Sequence, residues 1–273
     1  MSEHNPQAEQ MGDESMARNL GYQAQAIWPQ EEALFDRYRL SGPIRILDLG
    51  CGTGEITRRL ALRYAGAQLL GVDILDSNLQ IARRGGDADG RIQYRVADAF
   101  ALDVPEAPFD LVVCRHMSQA VPRFALVLEQ ICRVLKPGGW LHLLSEDYGM
   151  LHMPRQARDP DAFWQGTVLP YLESLGCDGR IGRHSVPLLL QHGFSAVAID
   201  YVTVDTLRAR DPFAGIISAW RDGYVDVLAQ ASGRPPDEVR ADFDAIIASI
   251  RDPAGYAVWH VPVISGQWPP TER

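Results

Sequence analysis

The chemistry first legible in this chain sits in five residues, Gly50-Cys51-Gly52-Thr53-Gly54. They follow the apolar run 44–49 and lead directly into a helical pattern, so they form the loop at the end of a buried strand. Alternate glycines leave no Cβ between the backbone and a ligand. The G-x-G-x-G spacing lacks the G-x-G-x-x-G offset with which a helix N-terminus cradles a dinucleotide pyrophosphate. Two later predicted strands end in carboxylates, Asp73 and Asp98. An acid at the end of the second strand can accept hydrogen bonds from ribose hydroxyls. Arg115 ends the fourth strand and faces the same crevice, where it could pair with a ligand carboxylate. His116 follows it, and Glu146, Asp147 and His152 follow the fifth strand. A histidine with an ordinary pKa near 6.5 suits a general base for a hydroxyl or a protonated amine. Glu146 and Asp147 can bind a cation or take a proton.

These groups need a scaffold that brings strand ends together, and the hydrophobic patterning supplies one. Strands are predicted at 44–49, 68–73, 91–98, 109–115 and 140–145, with helices at 55–64, 78–84 and 122–135 between them. Short connections in this alternation give right-handed βαβ units and a mostly parallel sheet. Ahead of it lie helices from Asp13 to Pro29, which interrupts, and at 30–40. Lys136-Pro137-Gly138-Gly139 reads as a turn into the fifth strand. Beyond residue 149 the pattern is helical and proline-punctuated, with a helix at 183–192, a strand at 194–206, helices at 212–231 and 236–250, and a last strand at 255–264. Residues 1–12 read as a disordered tail and 266–273 as a second tail, leaving 13–265 as one domain.

Composition excludes several classes. A net charge of −9 argues against the clustered Lys and Arg of a nucleic-acid footprint. No apolar run approaches the ~20 residues of a membrane span, and the polar N-terminus shows no secretory signal. A cytoplasmic location is expected. Cys51, Cys114, Cys132 and Cys177 form no C-x-x-C pair, which fits reduced thiols, and no metal site is expected.

The run ILDLGCGTG, followed by GVD, VADAF, FDLVVCR and LKPGGWL, resembles the motif series of the class I S-adenosylmethionine-dependent methyltransferases of small-molecule type, across about 44–145. The resemblance implies an α/β, Rossmann-like, seven-stranded, mostly parallel sheet with helices on both faces. It also implies an N-terminal helical cap over 13–43, and helical acceptor-side insertions after strands 5 and 6, over 149–192 and 207–252. S-adenosyl-L-methionine would be the methyl donor and S-adenosyl-L-homocysteine the product. Gly50, Cys51, Gly52 and Gly54 would form the donor loop, with Asp48 bracing its amides. Asp73 and Ile74 would take the ribose, and Asp98, Ala99 and Phe100 the adenine. Tyr22 and Gln25 would cover the amino-acid end of the donor, and Arg115 would pair with its carboxylate or with an acidic acceptor. On the acceptor side His116, Glu146 and His152 would handle a proton, with Trp164, Trp220, Tyr224, Trp259 and His260 as candidate walls.

The expected function is methyl transfer by in-line displacement to an O, N or C atom of a small molecule, including secondary metabolites, with no nucleic-acid or membrane partner. Monomer and homodimer stay open. Alternatives are a donor-binding regulatory module without turnover and a protein or nucleic-acid methyltransferase. The glycine spacing disfavours a dinucleotide dehydrogenase.

Overall fold

The computed structural model describes residues 5–86, 90–154 and 157–269. Its first elements are a short turn of helix, α1 (Ala8–Met11), and the long α2 (Glu14–Glu31). Asp13 caps α2, accepting from the Ser15 N–H at 2.8 Å. Pro29 does not interrupt this helix. The proline costs one backbone hydrogen bond, but Ala24, Ile27, Trp28 and Glu31 are all buried around it, and the helix continues to Glu31. A 3₁₀ segment, Glu32–Tyr38, replaces the expected second helix and ends at Arg39 in the left-handed region.

There follow β1 (Arg45–Leu49), α3 (Glu55–Arg63), β2 (Gln68–Asp73), α4 (Asp76–Arg84), β3 (Ile92–Val96), β4 (Phe109–Arg115), α5 (Phe124–Val134) and β5 (Leu135–Leu144). The strand β5 runs through the expected turn at 136–139, with a register shift opposite Phe109 and Leu111. After it come β6 (Leu151–His152), α6 (Pro160–Phe163), a π-helical turn (Trp164–Val168), α7 (Leu169–Ser174) and α8 (Ile181–Gln191). The chain closes with β7 (Ser195–Asp205), α9 (Arg210–Ser232), α10 (Pro236–Arg251) and β8 (Val258–Gln267).

The sheet order is β3-β2-β1-β4-β5-β8, with β1 to β5 parallel. β8 is antiparallel to β5 and β7, and the two-residue β6 adds an eighth strand among the described residues. Alternate residues of the central strands serve opposite faces. Ile46, Leu69, Leu111 and Val113 pack with α3 and the Trp28–Tyr38 region. Leu47, Leu70, Val112 and Cys114 pack with α5 and α8. A third core joins α2, α9 and α10 to β7 and β8 through Ile27, Phe213, Phe243 and Trp259.

Polar groups also tie α2 to the sheet. The carboxylate of Glu31 is fully buried and receives the Arg115 guanidinium through Nε (2.8 Å) and Nη2 (2.7 Å). His142 Nε2 lies 2.9 Å from the same carboxylate, and Tyr38 Oη lies 2.6 Å from its Nδ1. Burial alone would raise the Glu31 carboxyl, but the Arg115 charge and the His142 hydrogen bond pull it down to about 2.

The tail boundaries differ from expectation. Gln7 is buried and donates to the Ala120 carbonyl at 2.9 Å, so residues 5–12 belong to the ordered domain. Gly266 and Gln267 belong to β8. Residues 1–4 and 270–273 lie outside the described residues. No helix among the described residues is long and apolar enough to cross a membrane.

Candidate active site

Parallel register lines up the carboxyl ends of five strands. Leu49 is level with Val72 and Cys114, Asp73 with Val96, and Arg115 with Leu144. The residues just past these ends therefore share one crevice, where the strand order reverses between β1 and β4. The cavity there encloses about 1340 Å³, its open mouth included.

One half is lined by Gly50, Gly52, Asp73, Ile74, Asp98, Ala99 and Phe100. The Gly52 N–H donates to Asp73 Oδ2 (2.8 Å) and the Leu75 N–H to Oδ1 (2.9 Å), which fixes the carboxylate plane. Burial raises the Asp73 carboxyl, and these backbone donors oppose the rise. Asp98 Oδ1 accepts from the Phe100 N–H at 2.9 Å. Gly52 has φ +51, and a Cβ there would stand 2.5 Å from Leu20 Cδ1. The cradle is therefore built for a bare backbone.

Gly54 and Cys51 shape this loop from behind and do not line the cavity. A Cβ at Gly54 would meet Tyr94 Oη at 2.5 Å. The Cys51 and Gly50 N–H groups both donate to the Val72 carbonyl, and burial pushes the Cys51 thiol up. Asp48 does not brace the loop amides. It accepts from Thr57 Oγ1 at 2.6 Å, tying β1 to α3, and burial raises its carboxyl to about 6.

On α2 the cavity meets Met16, Asn19, Leu20 and Gln23, not Tyr22 or Gln25. Gln25 is solvent-exposed, and the Tyr22 ring packs on Gly215 of α9. The reason is helical phase: residues 16, 19, 20 and 23 share a face, and 25 lies about 200° around from 23. Two polar residues four apart on a stripe that also carries buried Met16 and Ile27 were the signal for Asn19 and Gln23. Arg115 does line the cavity, but its Nε and Nη2 are committed to Glu31.

The other half gathers around His116, which sits in the left-handed region at φ 54. Its Nδ1 lies 2.5 Å from Glu146 Oε1, and its Nε2 is buried without a partner. Gln23 Nε2 donates to the same Oε1 at 3.2 Å, and Gln119 Nε2 donates to the His116 carbonyl at 2.8 Å. Glu146 Oε2, Gln23 Oε1 and Gln119 Oε1 are buried and unpartnered. Burial lowers the His116 pKa, with the Glu146 hydrogen bond opposing, so the ring is neutral near pH 7. Since Nδ1–H then donates to the carboxylate, Nε2 carries the lone pair.

His152 is not brought to this site. It is exposed on β6, level with Val258. Asp147 is held by Arg183 through Nε (2.6 Å) and Nη2 (2.9 Å) and does not line the cavity. Trp164, Trp220 and Tyr224 do line it, joined by Tyr148, Tyr171 and Phe243. Trp259 is buried behind Trp220, with ring centroids 5.5 Å apart, and His260 Nδ1 lies 3.2 Å from Thr203 Oγ1 on β7. No three His, Cys, Asp or Glu among the described residues are placed to hold a metal.

Comparison with known proteins agrees with this layout. A profile described as a methyltransferase domain matches residues 47–143. A ubiquinone biosynthesis O-methyltransferase of Chromobacterium violaceum is 35% identical over 58% of this chain and 71% of its own length. One from Leptothrix cholodnii is 36% identical over 37% of this chain and 43% of its own. Of other curated relatives that it matches, the chain spans 40% to 60% of the length. Phosphoethanolamine N-methyltransferase 2 of Haemonchus contortus, solved with S-adenosyl-L-methionine, shares the fold at a TM-score of 0.58 and 21% identity, covering 89% of this chain and 53% of that one. The glycine cradle and the two strand-end acids, with no pyrophosphate spacing, fit that donor. The chain belongs to the class I S-adenosylmethionine-dependent methyltransferases.

Proposed function

We propose that this chain methylates a small molecule at a nucleophilic atom that must give up a proton, and that His116 receives that proton. When bound, the donor supplies a methyl group already activated by its sulfonium. Gly50, Gly52, Asp73 and Asp98 would hold it at the strand ends. The acceptor would lie between His116 and the aromatic wall, its proton passing to His116 Nε2. Glu146 would stabilise the imidazolium that forms and hold the ring orientation through Nδ1. Gln119 anchors the His116 backbone, and the aromatic wall keeps water from the reacting atoms. Alignment of this kind can supply ~7–11 kcal/mol of the barrier, and a positioned base adds roughly 10²–10⁴-fold.

The observation that carries this reading is the buried, unpartnered His116 Nε2 on the cavity, with the opposite ring nitrogen held by Glu146. The test is incubation with S-adenosylmethionine and a broad acceptor panel, with S-adenosylhomocysteine release and product mass followed together. A product heavier by one CH₂ is expected. Tight donor binding by calorimetry with no release across the panel would favour the regulatory module instead.

A further inference from the structure

Trp164 is buried to 4% exposure and lines the cavity, yet its indole N–H has no partner. A buried donor left unpaired costs about 1–3 kcal/mol. Trp164 also begins the π-helical turn Trp164–Val168, a distortion that re-aims side chains and recurs at functional sites. Its ring is fixed on several sides. Tyr148 stacks on it at 5.4 Å with planes 19° apart, and Trp220 meets it edge-on at 5.8 Å and 83°. The direction of the N–H is thus set by packing.

The polar groups around His116 are of the opposite kind. Gln23 and Gln119 each use Nε2 internally, so the oxygens left unpartnered, with Glu146 Oε2, are all acceptors. They call for a donor-bearing nucleophile. Arg115 is the one Arg or Lys among the described residues that line the cavity, and Glu31 holds it, so an anionic acceptor finds no free countercharge. Nor do Tyr148 and Trp164 offer a cation cage. Tyr148 and Trp164 turn their faces on each other, whereas an ammonium needs faces converging on it.

From these facts, and resting on the methyl-transfer reading above, we infer that the acceptor is an uncharged ring-bearing hydroxyl compound and that Trp164 reads a second, neutral oxygen on its body. The hydroxyl sits at His116 and Glu146, and the second oxygen accepts from Trp164 Nε1–H.

The test uses two probes of one skeleton, 7-hydroxy-1-tetralone and its ketone-free counterpart 5,6,7,8-tetrahydro-2-naphthol. Their binding is measured by calorimetry on the full chain saturated with S-adenosylhomocysteine. Wild type should bind the ketone about fivefold tighter, the value of one net hydrogen bond. Trp164→Phe should erase that preference, so that the two probes bind equally to the variant whatever the lost ring surface does to both affinities together. Trp259→Phe, which removes an equally unpartnered indole N–H away from the cavity, should preserve the preference. Equal binding of the two probes by wild type overturns the inference without any variant, and so does a Trp164→Phe protein that keeps the preference. Tyramine and 6-hydroxy-2-naphthoate test the charge. If either is methylated and neither neutral probe binds, methyl transfer stands and this inference falls. If no acceptor of any class yields S-adenosylhomocysteine, both fall.

Discussion

Asp73 and Asp98 receive backbone N–H groups from their own turns and, for Asp73, from Gly52 of the glycine loop, whereas Glu146, Gln23 and Gln119 each keep an oxygen unpartnered in the same cavity. The half around the glycine loop is built from backbone and completed internally, so its shape does not depend on what occupies it. The half around His116 is built from side chains on α2, the strand ends and the helical insertions, and its polar groups are only partly satisfied. Unsatisfied buried groups are costly, and a ligand that satisfies them is discriminated strongly from one that does not. One half is a fixed seat, and the other is a set of demands that selects the molecule.

The contrast can be tested from its strongest element downward. His116→Asn, a residue that tolerates the left-handed backbone there, should lower kcat by roughly 10²–10⁴-fold. Donor affinity by calorimetry should stay within about twofold of wild type, given that no donor contact is assigned to the ring. Comparable losses in both would show the two halves are one unit. Outside the cavity, Glu31→Ala strands a buried arginine and should cost about 3–5 kcal/mol in urea unfolding. A loss below about 1 kcal/mol would mean Arg115 finds another partner, with the donor the first to examine.

Asp73→Ala should weaken donor binding at least about tenfold, or ~1.4 kcal/mol, without changing acceptor affinity. Unchanged donor affinity would remove Asp73 from the site.

The smallest expected effect is one of pH. The folded pKa of His116 lies below 6.5 because burial disfavours its charge. The acid limb of kcat should therefore fall below that value, and Glu146→Gln, by removing the group that opposes the shift, should move the limb lower still. A limb above 6.5 would contradict the geometry. Stability follows the same sign. Between each folded and unfolded pKa the unfolded chain binds more protons, so acid destabilises. The buried His116 and His142, both lowered, start this loss below about 6.5. Glu31 adds to it between its ordinary value of 4.5 and about 2.

The glycine loop and the strand-end acids are legible in the sequence because turn chemistry restricts residue type. Positive φ and close approach demand glycine at Gly52, and a strand end facing the crevice exposes Asp73 and Asp98 by topology alone. Strand order and the alternation of helices followed from the same patterning. What escaped depends on phase and partner. Gln23, not the expected Gln25, faces the cavity, two residues away on a helix whose apolar stripe is broken by polar ones. Arg115 stood at the expected place, but no local pattern announces Glu31, 84 positions away in sequence. His116 directly follows β4, whereas His152 lies further on, in β6, whose two-residue pairing with β8 leaves it exposed. Among the aromatics, composition could not separate Trp164 from Trp259, because the choice is made by a π-helical turn.

The pairing of Glu31 with Arg115 and His142 bears on how this enzyme could be re-engineered. The α2 cap contributes Asn19 and Gln23 to the cavity wall, which makes it an obvious cassette to exchange between relatives. It is not detachable on those terms. A transplanted cap must carry a carboxylate that reaches the position of Glu31, or Arg115 and His142 must be replaced along with it. Otherwise the chimera gains a new recognition face and loses the fold that would display it.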